Sequence, residues 1–310
     1  MLVRFLGTGG VAPSDKRRLP CYLIEHAGYQ IILDIGEGAQ YRLLRYGTNK
    51  NLMILLSHLH ADHVLGLPGF LATLAMTGRT RPVYIVGPPG TRNFVLSFIS
   101  LPIAFFGDFP IYVIEAVQGD VISFGDLLIS VALGKHTITN YAYRVDLPRR
   151  PKLIKELIEE VPKEKRRLIA EGELVEVSGR LIKPREVSVW REGKSVVYTG
   201  DTRPTLSIIE LSRNADLLIH DSTYTSEYRE LAIERGHSTA QEAAEVALIA
   251  GVKSLALVHI SRRCDEEEIL KEAREVFENS FVPKDLDRRE IRMRFILPAL
   301  SSTSAHSRGM

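Results

Sequence analysis

An apolar run, Leu52 to Leu56, passes without a break into Ser57-His58-Leu59-His60-Ala61-Asp62-His63. Five consecutive apolar residues read as a buried strand of a sheet. The residues that follow turn at the end of that strand and carry three imidazoles and a carboxylate. Alternation in such a turn points two imidazoles at one metal ion and the next Asp-His pair at another. Neutral imidazole with carboxylate suits zinc, with manganese or iron as alternatives. A loop rich in histidine by chance is the competing reading, and four ligand-type side chains at this spacing argue against it.

The same rhythm recurs along the chain. Strand-like runs are expected at Leu2-Leu6, Tyr22-Glu25, Gln30-Leu33, Val83-Val86, Ile111-Ile114 and Leu127-Leu133. A second series is expected at Ser195-Tyr198, Asp216-Ile219, Leu255-Val258 and Ile291-Phe295. Helices are expected over Gly38-Tyr46, Pro68-Thr77, Thr239-Ala250 and Asp265-Phe277, the third opened by a capping signal at Ser238-Thr239 with Glu242. Strands interleaved with helices imply a layered α/β domain. Three more ligand-type residues follow strands: His136 after Leu127-Leu133, Asp201 after the run ending at Gly200, and His259 after Leu255-Val258. Strand ends are where α/β proteins assemble sites.

With 310 residues and 45% hydrophobic side chains, the chain can bury a full core in one large domain or two. A net charge of +2 leaves any nucleic-acid footprint to a local cluster. Cys21 and Cys264 have no paired spacing, which favours free thiols in a reducing compartment. The first ten residues lack a signal peptide's apolar stretch, and no run is long enough to span a membrane. A cytoplasmic protein without membrane contact is expected.

One segment breaks the rhythm. Residues 148–185 hold eleven Lys and Arg against seven Glu, densest at Lys163-Glu164-Lys165-Arg166-Arg167. Within it Leu153, Ile154, Leu157 and Ile158 have the spacing of an amphipathic helix over Pro151-Glu160, with proline near its start. A solvated excursion is the bland reading; a projecting arm is the sharper one.

Five blocks, in order, resemble the ribonuclease Z family of the metallo-β-lactamase superfamily. They are Leu33-Asp34-Ile35-Gly36-Glu37-Gly38-Ala39-Gln40, the His58-to-His63 cluster with Gly66-Leu67-Pro68-Gly69, Tyr198-Thr199-Gly200-Asp201-Thr202-Arg203-Pro204, Gly236-His237-Ser238-Thr239-Ala240, and the charged excursion. The resemblance implies an αββα sandwich formed by 1–147 and 186–300, an inserted flexible arm at 148–185 and a disordered tail at 301–310, His306 included. It implies His58, His60 and His136 on one zinc, Asp62, His63 and His259 on a second, and Asp201 bridging both. Asp62 is then also the proton acceptor, His237 assists the leaving group, and Asp221 orients His237. Lys163, Lys165, Arg166 and Arg167 are expected to meet RNA phosphates. The activity implied is removal of 3′ trailers from precursor tRNA by a homodimer.

This chain departs from the family at three places. Asp221-Ser222-Thr223 stands where Glu-Ala-Thr is usual, so the shorter carboxylate is expected to reach His237 over a longer distance or through water. Leu19 replaces an asparagine in the Pro13-to-Arg18 loop, which puts acceptor-end discrimination there in question. The arm has Val161-Pro162-Lys163 near the place of a Gly-Pro motif. Asp34 and Glu37 are expected to brace the site from behind the ligands. Two other functions compete: hydrolysis of a small phosphodiester or sulfate ester, and tRNA binding with a structural metal. The basic arm disfavours the first, and the carboxylates Asp62 and Asp201 disfavour the second.

Overall fold

The computed structural model describes residues 1–47, 49–100, 107–148, 150–155, 158–159, 161–191, 193–292 and 295–296. The expected tail at 301–310 lies outside the described residues. The chain divides into two units, Met1–Asp146 with Ser195–Ile291, and Leu147–Lys194 with Arg292–Met310.

The first unit opens with strands Leu2–Gly7 (β1), Cys21–His26 (β2), Tyr29–Leu33 (β3), Asn51–Leu55 (β4), Val83–Gly87 (β5) and Ile111–Glu115 (β6). Val121–Phe124 (β7), Leu127–Leu133 (β8) and Tyr141–Leu147 (β9) follow. The excursion supplies Arg150–Leu153 (β10), Val175–Val177 (β11), Arg180–Ile182 (β12) and Ser188–Arg191 (β13). Then come Lys194–Tyr198 (β14), Leu217–Asp221 (β15), Leu255–Val258 (β16), Ser280–Phe281 (β17) and Arg288–Glu290 (β18), with Phe295–Ile296 (β19) in the second unit. The helices are Gln40–Leu43 (α1), Ala61–Val64 (α2), Gly66–Met76 (α3), Thr91–Ile99 (α4), Lys163–Glu171 (α5) and Pro184–Val187 (α6). Leu206–Ser212 (α7), Arg229–Arg235 (α8), Ala240–Ala250 (α9) and Glu266–Val276 (α10) complete them.

Two seven-stranded sheets form the first unit, in the orders β18-β1-β2-β3-β4-β5-β6 and β17-β16-β15-β14-β9-β8-β7. β3 through β6 run parallel, as do β14 through β17, so their carboxyl ends share an edge. Leu67, Leu71 and Leu74 of α3 and Val95 of α4 pack on Ile32, Ile54 and Ile85 of the first sheet. Ile208 of α7, Ala243 and Ala247 of α9 and Ile269 of α10 pack on Val197, Leu218 and Leu257 of the second. The opposite faces meet: Tyr22 lies 5.0 Å from Tyr198 and Phe5 lies 6.0 Å from Phe281, ring centre to ring centre. Tyr143 donates its hydroxyl hydrogen to the Leu56 carbonyl at 2.7 Å. The result is the expected αββα sandwich. Each large apolar side chain buried in these layers contributes roughly 1.5–3 kcal/mol, which is why the strand runs read as continuously apolar.

The capping signal holds. Thr239 Oγ1 accepts from the Glu242 amide at 3.2 Å, and Glu242 Oε2 accepts from the Thr239 amide at 3.0 Å. Two expectations fail. Pro151 lies in β10, opposite Trp190 of β13, and not in an amphipathic helix; Leu157 of that expected helix lies outside the described residues. β10 is the outer strand of the order β10-β13-β19, where a residue without an N–H is tolerated. Its partner comes much later in the chain, beyond the reach of local periodicity. The expected strand Ile291-Phe295 does not supply the partner of β1: that pairing is made by Arg288–Glu290, with Leu2 opposite Glu290, while Phe295 lies in β19 and residues 293–294 lie outside the described residues. A charged edge strand carries no apolar signature.

The excursion extends past its expected 148–185 bounds. It holds α5 and the β11–β12 hairpin around a core of its own, made by Ile158, Val161, Ile169, Val175, Ile182 and Val187.

Candidate metal centre

The candidate ligands of the first unit gather beyond the carboxyl ends of strands. β4 runs into Ser57 and His58, β14 into Gly200 and Asp201, β16 into His259, and β8 leads to His136. Gly200 explains how the two sheets come close enough. Its φ is +59°, and a Cβ there would lie 2.3 Å from Asn140 Oδ1 and 2.5 Å from Ser57 Cβ. Only glycine lets the end of β14 press against the end of β4.

The donor atoms converge. His58 Nε2 is 3.0 Å from His60 Nδ1, and His60 Nδ1 is 3.2 Å from His136 Nε2. On the other side, His63 Nε2 and His259 Nε2 are 3.4 Å apart and lie 3.6 Å and 3.4 Å from Asp62 Oδ2. Asp201 Oδ2 sits 3.3 Å from His63 Nε2, 3.4 Å from His259 Nε2 and 3.7 Å from His58 Nε2. Tetrahedral zinc with bonds of about 2.0–2.1 Å has ligand–ligand edges of about 3.3–3.4 Å. The donor set fits a divalent ion in each group, with Asp201 facing both. Neither cysteine belongs to a donor group among the described residues, which makes this an all-nitrogen-and-oxygen set.

Four of the five donor imidazoles have their second ring nitrogen held from behind, which fixes their tautomers. His63 Nδ1 donates to Asp34 Oδ2 at 2.6 Å. His136 Nδ1 donates to the Gly236 carbonyl at 2.8 Å, and His58 Nδ1 meets Ser57 Oγ at 3.0 Å. His259 Nδ1 lies 2.9 Å from Thr223 Oγ1, which donates onward to Asp221 Oδ1 at 2.6 Å. Asp34 is fully buried at φ +52° and also accepts from the Ser57 amide, Ser57 Oγ and Tyr198 Oη, each at 2.6 Å. The bracing role expected of Asp34 is therefore built. Glu37 is exposed, and among the described residues no hydrogen bond joins it to the donors. Ser57, Thr223, Tyr198 and the Gly236 carbonyl escape sequence reasoning in this role, because a serine, threonine or tyrosine beside a motif carries no pattern of its own.

Burial pushes the His58, His60 and His136 imidazoles down, so they are neutral donors. Burial also opposes charge on His63, but the Asp201 and Asp34 carboxylates overcome it and raise that ring, a charge that a divalent cation would replace. Burial would raise the Asp62 carboxyl, yet the His259 hydrogen bond and the neighbouring imidazoles hold it well below the carboxylate range.

His237 lies beside this set, its ring 5.0 Å from His136 and 5.2 Å from His259. Its Nδ1 donates straight to Asp221 Oδ2 at 2.9 Å, so the expected long or water-mediated contact is not found. Asp221 compensates for its missing methylene through position. The Thr202 and Thr223 amides, each at 3.0 Å, draw its oxygens toward the ring. Burial would lower His237, but the Asp221 carboxylate outweighs it and raises the imidazole to about 9. Arg203 supports the same loop, donating to the His237 carbonyl at 2.6 Å and gripping Glu242.

Leu19 proves to be buried, its side chain against Gly36 and its backbone carbonyl against Gly7, and is not a surface group that could read a substrate. Beside His259 opens a groove of about 1340 Å³, lined in part by Gly10, Arg18, Ile260, Arg262 and Arg263. Lys163, Lys165, Arg166 and Arg167 all lie on α5 in the second unit, whereas the donor set belongs wholly to the first. Lys165 Nζ donates to the Glu176 carbonyl at 2.7 Å, Arg166 to the Val161 carbonyl at 2.9 Å, and Arg167 pairs with Glu171 at 2.8 Å. Lys163 is exposed.

A family model described as Metallo-beta-lactamase superfamily matches residues 18–244. Ribonuclease Z of Ignicoccus hospitalis is 38% identical over 286 residues, spanning 91% of this chain and 95% of that protein. Ribonuclease Z of Saccharolobus islandicus is 41% identical over 290 residues, spanning 91% and 96% respectively. Among solved structures, human tRNase Z, short form, aligns with a TM-score of 0.69 at 23% identity, covering 94% of this chain and all of that one, a likeness of fold.

Proposed function

We infer the function from one premise: the chain belongs to the ribonuclease Z family of the metallo-beta-lactamase superfamily. It is a metal-dependent endoribonuclease that removes 3′ trailers from precursor tRNA, leaving a 3′-hydroxyl on the tRNA and a 5′-phosphate on the trailer. The observation that carries this reading beyond membership is the His237–Asp221 pair standing directly beside two groups of donors, each able to hold an ion.

His58, His60 and His136 would hold one ion and Asp62, His63 and His259 the other, with Asp201 facing both groups; we assign two zinc ions per chain. When bound, such a pair supplies Lewis-acid polarisation of the phosphodiester and lowers the pKa of water. Asp62 accepts the proton of the attacking water through its carboxylate. His237 keeps its Nδ1 hydrogen on Asp221, which leaves Nε2 as the atom that gives a proton to the departing O3′. The Asp221 carboxylate favours the protonated ring, which suits that role.

Lys163, Lys165, Arg166 and Arg167 of α5 neutralise tRNA phosphates, which positions the substrate without reading its bases. Following the resemblance to short-form members, the protein is a homodimer in which the arm of one subunit serves a tRNA cut by the other. No described helix is long and apolar enough to cross a membrane. The free thiols of Cys21 and Cys264 suit a reducing compartment, and on that ground we assign the protein to the cytoplasm.

The test is end-mapping with one 3′-extended precursor tRNA and the zinc-loaded protein. A single cut that yields the stated termini supports the reading. An intact precursor, alongside rapid hydrolysis of a small chromogenic phosphodiester, would replace it with a small-ester hydrolase.

A further inference from the structure

The loop between β1 and β2 contains a strained turn aimed at the metal centre. Val11 has φ +60°, a conformation that β-branched residues rarely adopt. The Ala12 amide donates to the Gly10 carbonyl at 2.7 Å, so Val11 is the middle of a three-residue turn with positive φ, a rare and strained form. Strain of this kind persists only where the surroundings dictate it.

They do so here. Thr8 donates to Asp285 Oδ1 through its amide at 3.0 Å and its hydroxyl at 2.8 Å. The Arg18 amide and Arg42 Nη1 donate to Asp285 Oδ2, each at 2.7 Å. The Gly9 amide donates to the Arg18 carbonyl at 2.9 Å, and the His259 amide to the Thr8 carbonyl at 3.1 Å. Gly10 is pressed so closely on the His259 ring that a Cβ would lie 2.5 Å from it. With both flanks pinned, Val11 points its side chain outward, 71% exposed, and its N–H inward. That N–H donates to Asp62 Oδ2 at 2.9 Å, the same oxygen that faces His63 Nε2 and His259 Nε2.

We propose that the Val11 amide is a positioning group for Asp62, holding its ion-facing oxygen in place so that the Asp62–His63–His259 donor set is assembled before an ion arrives. Its other contacts among the described residues are to fellow donors, His259 Nε2 at 3.4 Å and His63 Nε2 at 3.6 Å, so within the four-residue α2 nothing else outside the donor set limits the freedom of the carboxylate. A charge-assisted bond from a backbone amide removes that freedom without adding a titratable group. The proposal rests on the metal-centre reading above.

The experiment replaces the Gly10–Val11 amide by an ester, using the α-hydroxy analogue of valine at position 11, which deletes the N–H and keeps the side chain. Zinc affinity is measured by competition with a chromogenic chelator. One of the two ions should bind about 10–100-fold more weakly, the range for lost outer partners of metal ligands, while the other is unchanged. Asp285→Asn, which unpins the loop but keeps the N–H, should give a smaller loss at the same ion; this variant decides the matter if the ester protein does not fold. Equal affinity at both ions, or equal loss at both, would overturn the proposal. A parent chain that binds no zinc would refute the metal-centre reading itself, a result separable from an ester protein that binds both ions like its parent.

Discussion

Replacing Asp34 by Asn should leave the fold standing and weaken the metal centre. The substitution keeps the shape, and asparagine tolerates the φ of +52° as aspartate does. What changes is the sign of one side-chain atom. Asp34 Oδ2 accepts from His63 Nδ1, Ser57 Oγ and Tyr198 Oη, each at 2.6 Å, and an amide nitrogen in that place can only donate. The two hydroxyls can turn their hydrogens elsewhere. His63 cannot: to accept at Nδ1 it must carry its hydrogen on Nε2, the atom that faces His259 and Asp201. A hydrogen bond to a charged group contributes about 1.5–3 kcal/mol. At about 1.4 kcal/mol per factor of ten, losing the bond that sets the tautomer weakens zinc binding at the His63 site by roughly 10–100-fold. Chelator competition on parent and variant measures this, and thermal unfolding of the metal-free proteins checks that the fold survives. Unchanged affinity for both ions in a folded variant would refute the tautomer argument.

Further outcomes follow from the same geometry. His237→Ala should lower turnover on precursor tRNA by about 10²–10⁴-fold with zinc content intact; loss of zinc on elemental analysis would make His237 a ligand. Replacing Lys163, Lys165, Arg166 and Arg167 together by Ala should weaken precursor binding and reduce its salt slope by up to about 0.9 for each phosphate no longer neutralised. The variant should leave hydrolysis of a small chromogenic phosphodiester untouched, and an unchanged salt slope would remove the arm from recognition. Ile169→Ala empties the centre of the small core in the second unit. It should cost about 2–5 kcal/mol there and open residues 147–194 to limited proteolysis, while small-ester hydrolysis persists; parallel loss of both would mean that the unit does not fold by itself.

Much of the site is legible in the sequence. His58, His60, Asp62 and His63 occupy one turn, and a local pattern is sufficient when the ligands are neighbours along the chain. His136, Asp201 and His259 are found through the strand that precedes each, because a buried strand announces itself as an apolar run and its end has a fixed geometric meaning. The same argument fails for β10 and β18. A proline-bearing edge strand and a charged edge strand are stabilised by partners far along the chain, and neither shows the periodicity of a buried one.

What the tertiary structure alone decided is how those side chains are held. The sequence pattern determined a layered α/β domain and the residue types of a metal centre, since burial and ligand chemistry show in local spacing, while the αββα arrangement came from the resemblance to the ribonuclease Z family. It did not determine that Asp221 reaches His237 directly, because that distance depends on two threonine amides turning the carboxylate. Nor did it reveal Asp34 gathering Tyr198 from 164 residues away, or Val11 strained into place by Asp285. Hydrogen bonds act over about 3 Å whatever the sequence separation, so the partners that orient a ligand become visible only once the chain has folded around it.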